Sequence, residues 1–217
     1  MTSRTTSSRM LVSMVAAVAA FAGTLLAAAP AGAQIKEPGN HPKYSVELEP
    51  HLLLQWSYRL LATDGYGLGA RVNIPFLGNG PIPKINNDMA IGVGLDWAHF
   101  SGNCWGWGDY RWNGGPVPDD QCRGNDFWVP VVLKWNFYLT KVISVFGEPG
   151  LAIEHSRWDY RYLDPRCGPN GVCDGSTSST DLEPVLWLGA RFMFSDTVGA
   201  TVRLGTPYVS AGVSILF

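Results

Sequence analysis

The chain has 217 residues, 46% of them hydrophobic and only 16% charged, with 25 Gly, 15 Pro, 9 Trp and a formal net charge of −2. A length of this order suits one domain, and the missing basic excess excludes a nucleic-acid binder. The aromatic and aliphatic content excludes a disordered chain, and the glycines favour strands and turns over a helix bundle.

Arg4 and Arg9 precede an apolar run at 10–29, and Pro30, Ala31, Gly32 and Ala33 precede Gln34. A positive head, an apolar middle and a small-x-small end predict a secretory signal peptide, 1–33, cleaved after Ala33. The competing expectation is a retained membrane helix, since about 20 apolar residues can span a bilayer. Cleavage leaves 184 residues (217 − 33) with 14 bases (16 − 2) against 18 acids, a net charge of −4. Export also permits disulfides.

A short segment, 34–43, leads into period-2 patterns that predict strands at 44–56, 66–76, 88–100, 127–139, 143–158, 182–194, 197–205 and 208–217. In the first, Leu48, Leu52 and Leu54 oppose Glu47, Glu49, His51 and Gln55; in the second, Leu68, Val72 and Ile74 oppose Gly69, Arg71 and Asn73. The third sets Ile91, Val93 and Leu95 against Gly92, Gly94 and Asp96, and the fourth Val129, Val131 and Leu133 against Lys134, Asn136 and Tyr138. In the fifth, Leu151 and Ile153 oppose Glu148 and Glu154; in the sixth, Leu186, Leu188 and Phe192 oppose Glu183 and Arg191. The seventh sets Val198, Val202 and Leu204 against Thr201 and Arg203. The eighth sets Val209, Val213, Ile215 and Phe217 against Tyr208, Ser210 and Ser214.

A soluble barrel buries its apolar face, whereas a membrane barrel turns bulky aliphatics to lipid and small or charged residues to the lumen. Glycine suits a crowded narrow lumen better than a solvated strand face. Aromatic residues gather at the strand ends: Trp56, Tyr58, Trp97, Phe100, Phe127, Trp128, Trp158 and Tyr160 at one set, Phe76, Phe137, Tyr138 and Phe194 at the other. Such girdles are selected by bilayer interfaces. Longer connections at 57–65, 101–126 and 159–181 alternate with short turns at 140–142 and 195–196, with 77–87 a longer connection on the short-turn side. These features predict an all-β, eight-stranded antiparallel up-and-down transmembrane barrel over 44–217, with periplasmic termini.

Over that span the chain resembles small outer-membrane barrels of the OmpA/OmpX type. The most specific feature is the alternation Val209, Ala211, Val213, Ile215 ending on Phe217. The resemblance implies that Phe217 is an insertion signal read by the barrel-insertion machinery, with a periplasmic chaperone as a second transient partner. It also implies a Gram-negative-type outer membrane, with its lipid and lipopolysaccharide, as the surroundings. Architecture at this level is shared by many functions.

By strand parity Glu47, Glu49, Asp96, Glu148, Glu154 and Glu183 point inwards, as do Arg71, Lys134, Arg191 and Arg203. Eight strands enclose just enough space for side chains to fill, so these charges are expected to pair and plug the lumen; a narrow gated ion path is the alternative. Cys104, Cys122, Cys167 and Cys173 fall in two long connections. Bridges Cys104–Cys122 and Cys167–Cys173 close short loops, but four cysteines allow three pairings. A zinc site using His99 or His155 fits no zinc spacing. Asp109, Asp119, Asp120 and Asp126 fit no calcium-loop pattern.

Trp105, Trp107, Tyr110 and Trp112 alternate, as on a hairpin above the membrane, and form a candidate recognition surface for a glycan, lipopolysaccharide or protein. The competing expectation is an extension whose aromatics pack on one another. The expected role is therefore structural, protective of the envelope or surface-recognising, not enzymatic, and without a cofactor. Two further classes stay open. His99 and Ser101 loosely resemble the His-x-Ser-Asn stretch of outer-membrane lipid A deacylases, though Gly102 interrupts it; such a hydrolase would use them as base and nucleophile. A soluble lipocalin-like barrel would bind a ligand inside and would need the reverse orientation of its faces.

Overall fold

The computed structural model describes residues 34–55, 65–102, 121–163 and 172–217. They form a 3-10 turn at Gln34–Lys36 and strands β1 (Glu47–Gln55), β2 (Gly65–Leu77), β3 (Asn87–Gly102), β4 (Gln121–Tyr138), β5 (Ile143–Leu163), β6 (Val172–Met193), β7 (Val198–Thr206) and β8 (Tyr208–Leu216). The strands close into one barrel in sequence order. Every neighbouring pair is antiparallel, including the closing pair β1–β8, where Leu48 faces Ile215 and Leu52 faces Ala211. Closure removes the unpaired edges that an open sheet would present.

The pleat sorts the side chains as the alternation requires. Burial along β1 alternates strictly from Glu47 to Gln55, the polar residues and Leu53 being buried and Leu48, Leu52 and Leu54 exposed. The outer wall is aliphatic: Leu95 is 59% and Leu204 65% exposed, in a continuous belt with Leu68, Ile91, Val131, Leu151, Leu186 and Leu188. The interior holds the ions, with Glu47, Arg71 and Lys134 at 0%. This is the reverse of the orientation a soluble ligand-binding barrel needs.

Three strands outrun their expected bounds by five residues or more. β4 begins at Gln121 rather than 127, β5 ends at Leu163 rather than 158, and β6 begins at Val172 rather than 182. Pairing on β5–β6 continues unbroken to Leu163↔Val172. Residues such as Ser176, Ser178, Ser179 and Thr180 are exposed on both faces, so no apolar alternation marks them; ladder hydrogen bonds carry the extension, with cross-strand side-chain bonds from His155 to Thr180 (2.8 Å) and between Ser156 and Ser179 (3.0 Å).

The aromatic strand ends divide. Tyr66, Phe76, Phe127 and Phe194 face outwards, but Phe100, Trp128 and Tyr138 turn into the barrel and are buried. Phe100 and Trp128 form an apolar layer with Leu53, Val132, Val185, Trp187 and Tyr208, and Trp158 packs against it. Trp56 and Tyr58 lie outside the described residues, as does the Tyr160 side chain.

At the end with the short turns, residues 34–46 form a strap. Gln34 N–H donates to the Leu139 carbonyl (3.0 Å), Asn86 N–H to the Ile35 carbonyl (2.8 Å) and Ser45 N–H to the Phe217 carbonyl (2.6 Å). The strap thus joins the β2–β3 connection, the β4–β5 turn and the chain terminus at one mouth of the barrel.

Crowding inside explains the lumenal glycines. A Cβ at Gly69 would overlap Asp96 Oδ1 and stand 2.7 Å from His51 Nε2. Gly69→Ala is expected to lower stability by about 1–3 kcal/mol, the cost of overpacking a filled interior, read as a lower midpoint in denaturant unfolding of the refolded barrel.

Candidate functional site: the lumenal charge cluster

Each member of the cluster is set by its strand's parity: β1 supplies Glu47 and Glu49, β2 Arg71, β3 Asp96, β4 Lys134, β5 Glu148, β6 Arg191 and β7 Arg203. β8 adds Tyr208 and Ser214. All eight strands therefore converge on one set of buried polar contacts.

Glu148 sits among three cations. Its Oε2 accepts from Arg71 Nη1 and Arg203 Nε, each at 2.7 Å, and its Oε1 accepts from Arg203 Nη2 at 3.1 Å. Lys134 Nζ is 3.8 Å away. Arg203 also pairs with both oxygens of Glu49, at 2.7 Å from Nη2 to Oε2 and through a second contact from Nη1 to Oε1. Glu47 accepts from Lys134 Nζ (2.8 Å), Arg191 Nη1 (2.8 Å), Ser214 Oγ (2.6 Å) and Asn73 Nδ2 (3.1 Å).

Towards the loop end, Asp96 Oδ1 lies 2.8 Å from His51 Nε2, and Oδ2 accepts from the Tyr208 hydroxyl and, at 3.4 Å, from Arg71 Nη2. Above that, Gln55 Nε2 donates to Asp126 Oδ2 at 2.9 Å. Aromatic rings complete the cations' surroundings: Arg71 lies 4.7 Å from the Trp187 ring centre, and Lys134 lies 4.5 Å from that of Phe146. Both distances suit cation–π attraction.

Towards the strap, Asp88 accepts from Tyr138 (2.5 Å), Asn136 (2.6 Å) and Tyr44 (3.4 Å). His41 stacks on Tyr138 with centroids 4.5 Å apart. Burial first, and then the Asp88 charge, push the Tyr44 phenol up to about 12, so it stays a donor at neutral pH.

Of the ten charges expected inside, eight form this cluster. Glu154 and Glu183 have inward parity, but they are half-buried nearer the loop end, and each has a partner. His51, Asn73, Asp88, Tyr138, Tyr208 and Ser214 are members that a search restricted to acids and bases on the strands' midsections passes over. Their signal was available: each shares parity with a charged neighbour on its own strand or lies on the opposite face from the aliphatics.

His99 and Ser101 do not assemble as a base–nucleophile unit. His99 Nδ1 is 3.1 Å from the Asn125 amide oxygen, which also accepts from Trp97 Nε1, and among the described residues no hydrogen bond links His99 to Ser101. Asp126 faces inwards to Gln55. Among the described residues no group of three or more His, Cys, Asp or Glu is placed to hold a metal ion. Cys104, Cys167, Trp105, Trp107, Tyr110, Trp112, Asp109, Asp119 and Asp120 lie outside the described residues, as does the Cys122 side chain.

No protein-family model matches the chain, and no curated protein matches it. Among solved structures it is similar to Ail, the attachment invasion locus protein of Yersinia pestis, crystallised with the heparin analogue sucrose octasulfate. That likeness has 13% identity, covers 80% of this chain and 97% of Ail, and has a TM-score of 0.44. It is also similar to Neisserial surface protein A, with 10% identity, 79% and 96% coverage and a TM-score of 0.39.

The cluster is held by mutual compensation, so removing one partner is far worse than never having had the pair. Glu148→Ala, which strands Arg71 and Arg203 in the interior, is expected to cost about 3–5 kcal/mol. Removing Asp159 from its 3.8 Å pair with the exposed Arg157 should cost about 0–1 kcal/mol. Equilibrium unfolding of the two variants against the parent checks both values.

Proposed function

We propose that this chain is an integral outer-membrane barrel whose lumen is plugged by its own ion pairs and whose disulfide-bridged loops face outwards, serving a structural, envelope-integrity or surface-recognition role. The observation that carries this reading is the inversion of faces. A belt of Leu, Ile and Val lies exposed around the outside while the charges are buried within. In water that outer wall would be an apolar patch far beyond what soluble proteins expose; in a bilayer it is the solvated face.

Residues 1–33 are the export signal, removed after Ala33. The strap and both ends of the mature chain then lie on the periplasmic side, and the β4–β5 and β5–β6 extensions rise on the cell surface. Phe217, exposed on the outer wall and fixed by its N–H to the Val46 carbonyl (2.9 Å), suits the role of insertion signal for a chaperone and the barrel-insertion machinery. Trp105, Trp107, Tyr110 and Trp112 form the recognition surface of the 103–120 loop.

Cys173 is buried and carries no free thiol, which supports its taking part in a bridge; the pairing Cys104–Cys122 and Cys167–Cys173 is proposed because it closes the two shortest loops. Mass spectrometry of the non-reduced digest is expected to recover these two linked peptide pairs, and a cross-loop pair would overturn the assignment.

Two measurements test the larger reading. Expressed with its signal in a Gram-negative host, the protein should fractionate with the outer membrane and change gel mobility on boiling. Soluble periplasmic recovery without a shift would refute membrane residence. In planar bilayers the plugged lumen predicts no steady porin-sized conductance.

A further inference from the structure

We propose that the outer wall just above the aliphatic belt, on the β3–β6 side, is a docking site for the phosphate groups of lipopolysaccharide in the outer leaflet. The proposal rests on the outer-membrane reading, with the loop end at the cell surface.

Register and parity place the residues. Every second residue of a strand faces outwards, and paired residues of neighbouring strands share a face, so the outward residues form rows across the sheet. The last aliphatic row pairs Val129 with Ile153 and Ile153 with Leu182. The next runs Trp97, Phe127, His155 and Thr180, and the one after it His99, Asn125, Arg157 and Ser178. A third runs Ser101, Arg123, Asp159 and Ser176. Within three steps the wall passes from hydrocarbon, through aromatic rings, to guanidinium, amide and hydroxyl groups. On the opposite side, β7 ends at Thr206 and β8 begins at Tyr208, and the exposed Leu204 keeps that wall aliphatic to its end.

The contacts within the rows leave donors available. Asn125 Oδ1 accepts from Trp97 Nε1 and lies 3.1 Å from His99 Nδ1. Its amide nitrogen, which carries two N–H donors, has no hydrogen bond among the described residues. Arg157 is 65% exposed and stands 3.8 Å from Asp159, too far for a hydrogen bond. Arg123 is exposed as well. An open hollow on this wall is lined by His155, Arg157, Ser176, Thr177 and Ser178.

These groups favour an anion with several acceptor oxygens. Two guanidinium groups face one carboxylate in the three rows, although the whole chain carries a net charge of −2. Asp126, in the same stretch of β4, turns to the lumen and accepts from Gln55. Guanidinium, amide and hydroxyl donors together suit phosphate oxygens. The adjoining row makes that phosphate a lipid's. A headgroup held by Arg123 and Arg157 sets its acyl chains against Leu151, Ile153 and Leu182, each more than half exposed. A soluble anionic glycan would gain nothing from those side chains.

The test is lipid binding by the full protein, purified from outer membranes, stripped of copurifying lipid and held in zwitterionic micelles. The probes are lipid A with two phosphates and the same lipid with its phosphates removed, each titrated to a dissociation constant. The parent should bind the phosphorylated lipid more tightly. Arg123→Gln and Arg157→Gln combined should weaken that binding roughly tenfold or more and leave the other lipid unaffected. Asp159→Asn removes the opposing carboxylate and should tighten it about threefold, a gain that damage to the fold does not produce. Equal binding of the two lipids by the parent, or unchanged binding in the double variant, would overturn the proposal. Competition by water-soluble glucosamine bisphosphate as strong as that by the lipid would overturn it too, by making the ligand a free anion. The variants should keep the parent's gel shift on boiling. A parent without that shift fails the outer-membrane reading instead, which tells the two failures apart.

Discussion

The structure depends on a balance of buried charge. Arg71, Lys134, Arg191 and Arg203 are removed from water, and each finds a carboxylate among Glu47, Glu49, Asp96 and Glu148. Burying any one of these ions alone would cost several kcal/mol. Because the partners come from different strands, the pairs form only when the barrel has closed in the correct register. A slip of one residue on any strand would turn its charge onto the aliphatic wall. The cluster therefore specifies the fold more than it stabilises it.

The proposed plug would also limit where function can reside. Guanidinium groups make carboxylate contacts and cations lie against Trp187 and Phe146, so the interior is occupied by the chain's own side chains. The apolar layer around Phe100 and Trp128 covers the cluster on the loop side, and the strap covers it on the other. What remains for contact with other molecules is the outer wall and the loop end, which is why the proposed role is placed at the surface and not along an axis of transport.

Much of this was legible in the chain. Two-residue periodicity placed all eight strands, and the agreement of several charges on one face, as with Glu47 and Glu49 on β1, identified the interior. Other features followed no period. The strap at 34–46 is tied by backbone hydrogen bonds that any residues except proline can make and by scattered side-chain contacts of His41 and Tyr44, which follow no period. Phe100 shares parity with Asp96, and Trp128 and Tyr138 with Lys134, so all three were readable as interior, but strand-end aromatics are equally expected at a bilayer interface, and residue type masked position. His51 was visible on the charged face, yet only the register of β1, β2 and β3, with Gly69 between the two residues, brings it level with Asp96.

The long sixth strand gives the molecule reach. At about 3.3 Å per residue, its 22 residues extend roughly 70 Å, or about 55 Å along the barrel axis if tilted by about 40°. A hydrophobic band about 25 Å tall takes up less than half of that height. The rest rises beside β5 and β4, which pair as far as Gln121↔Arg161, and on β6 it carries hydroxyl groups on both faces. In the orientation proposed above, that height carries the upper ends of β5 and β6 clear of the lipid headgroups, to where neighbouring cells and polymers, not the membrane, are the nearest surfaces.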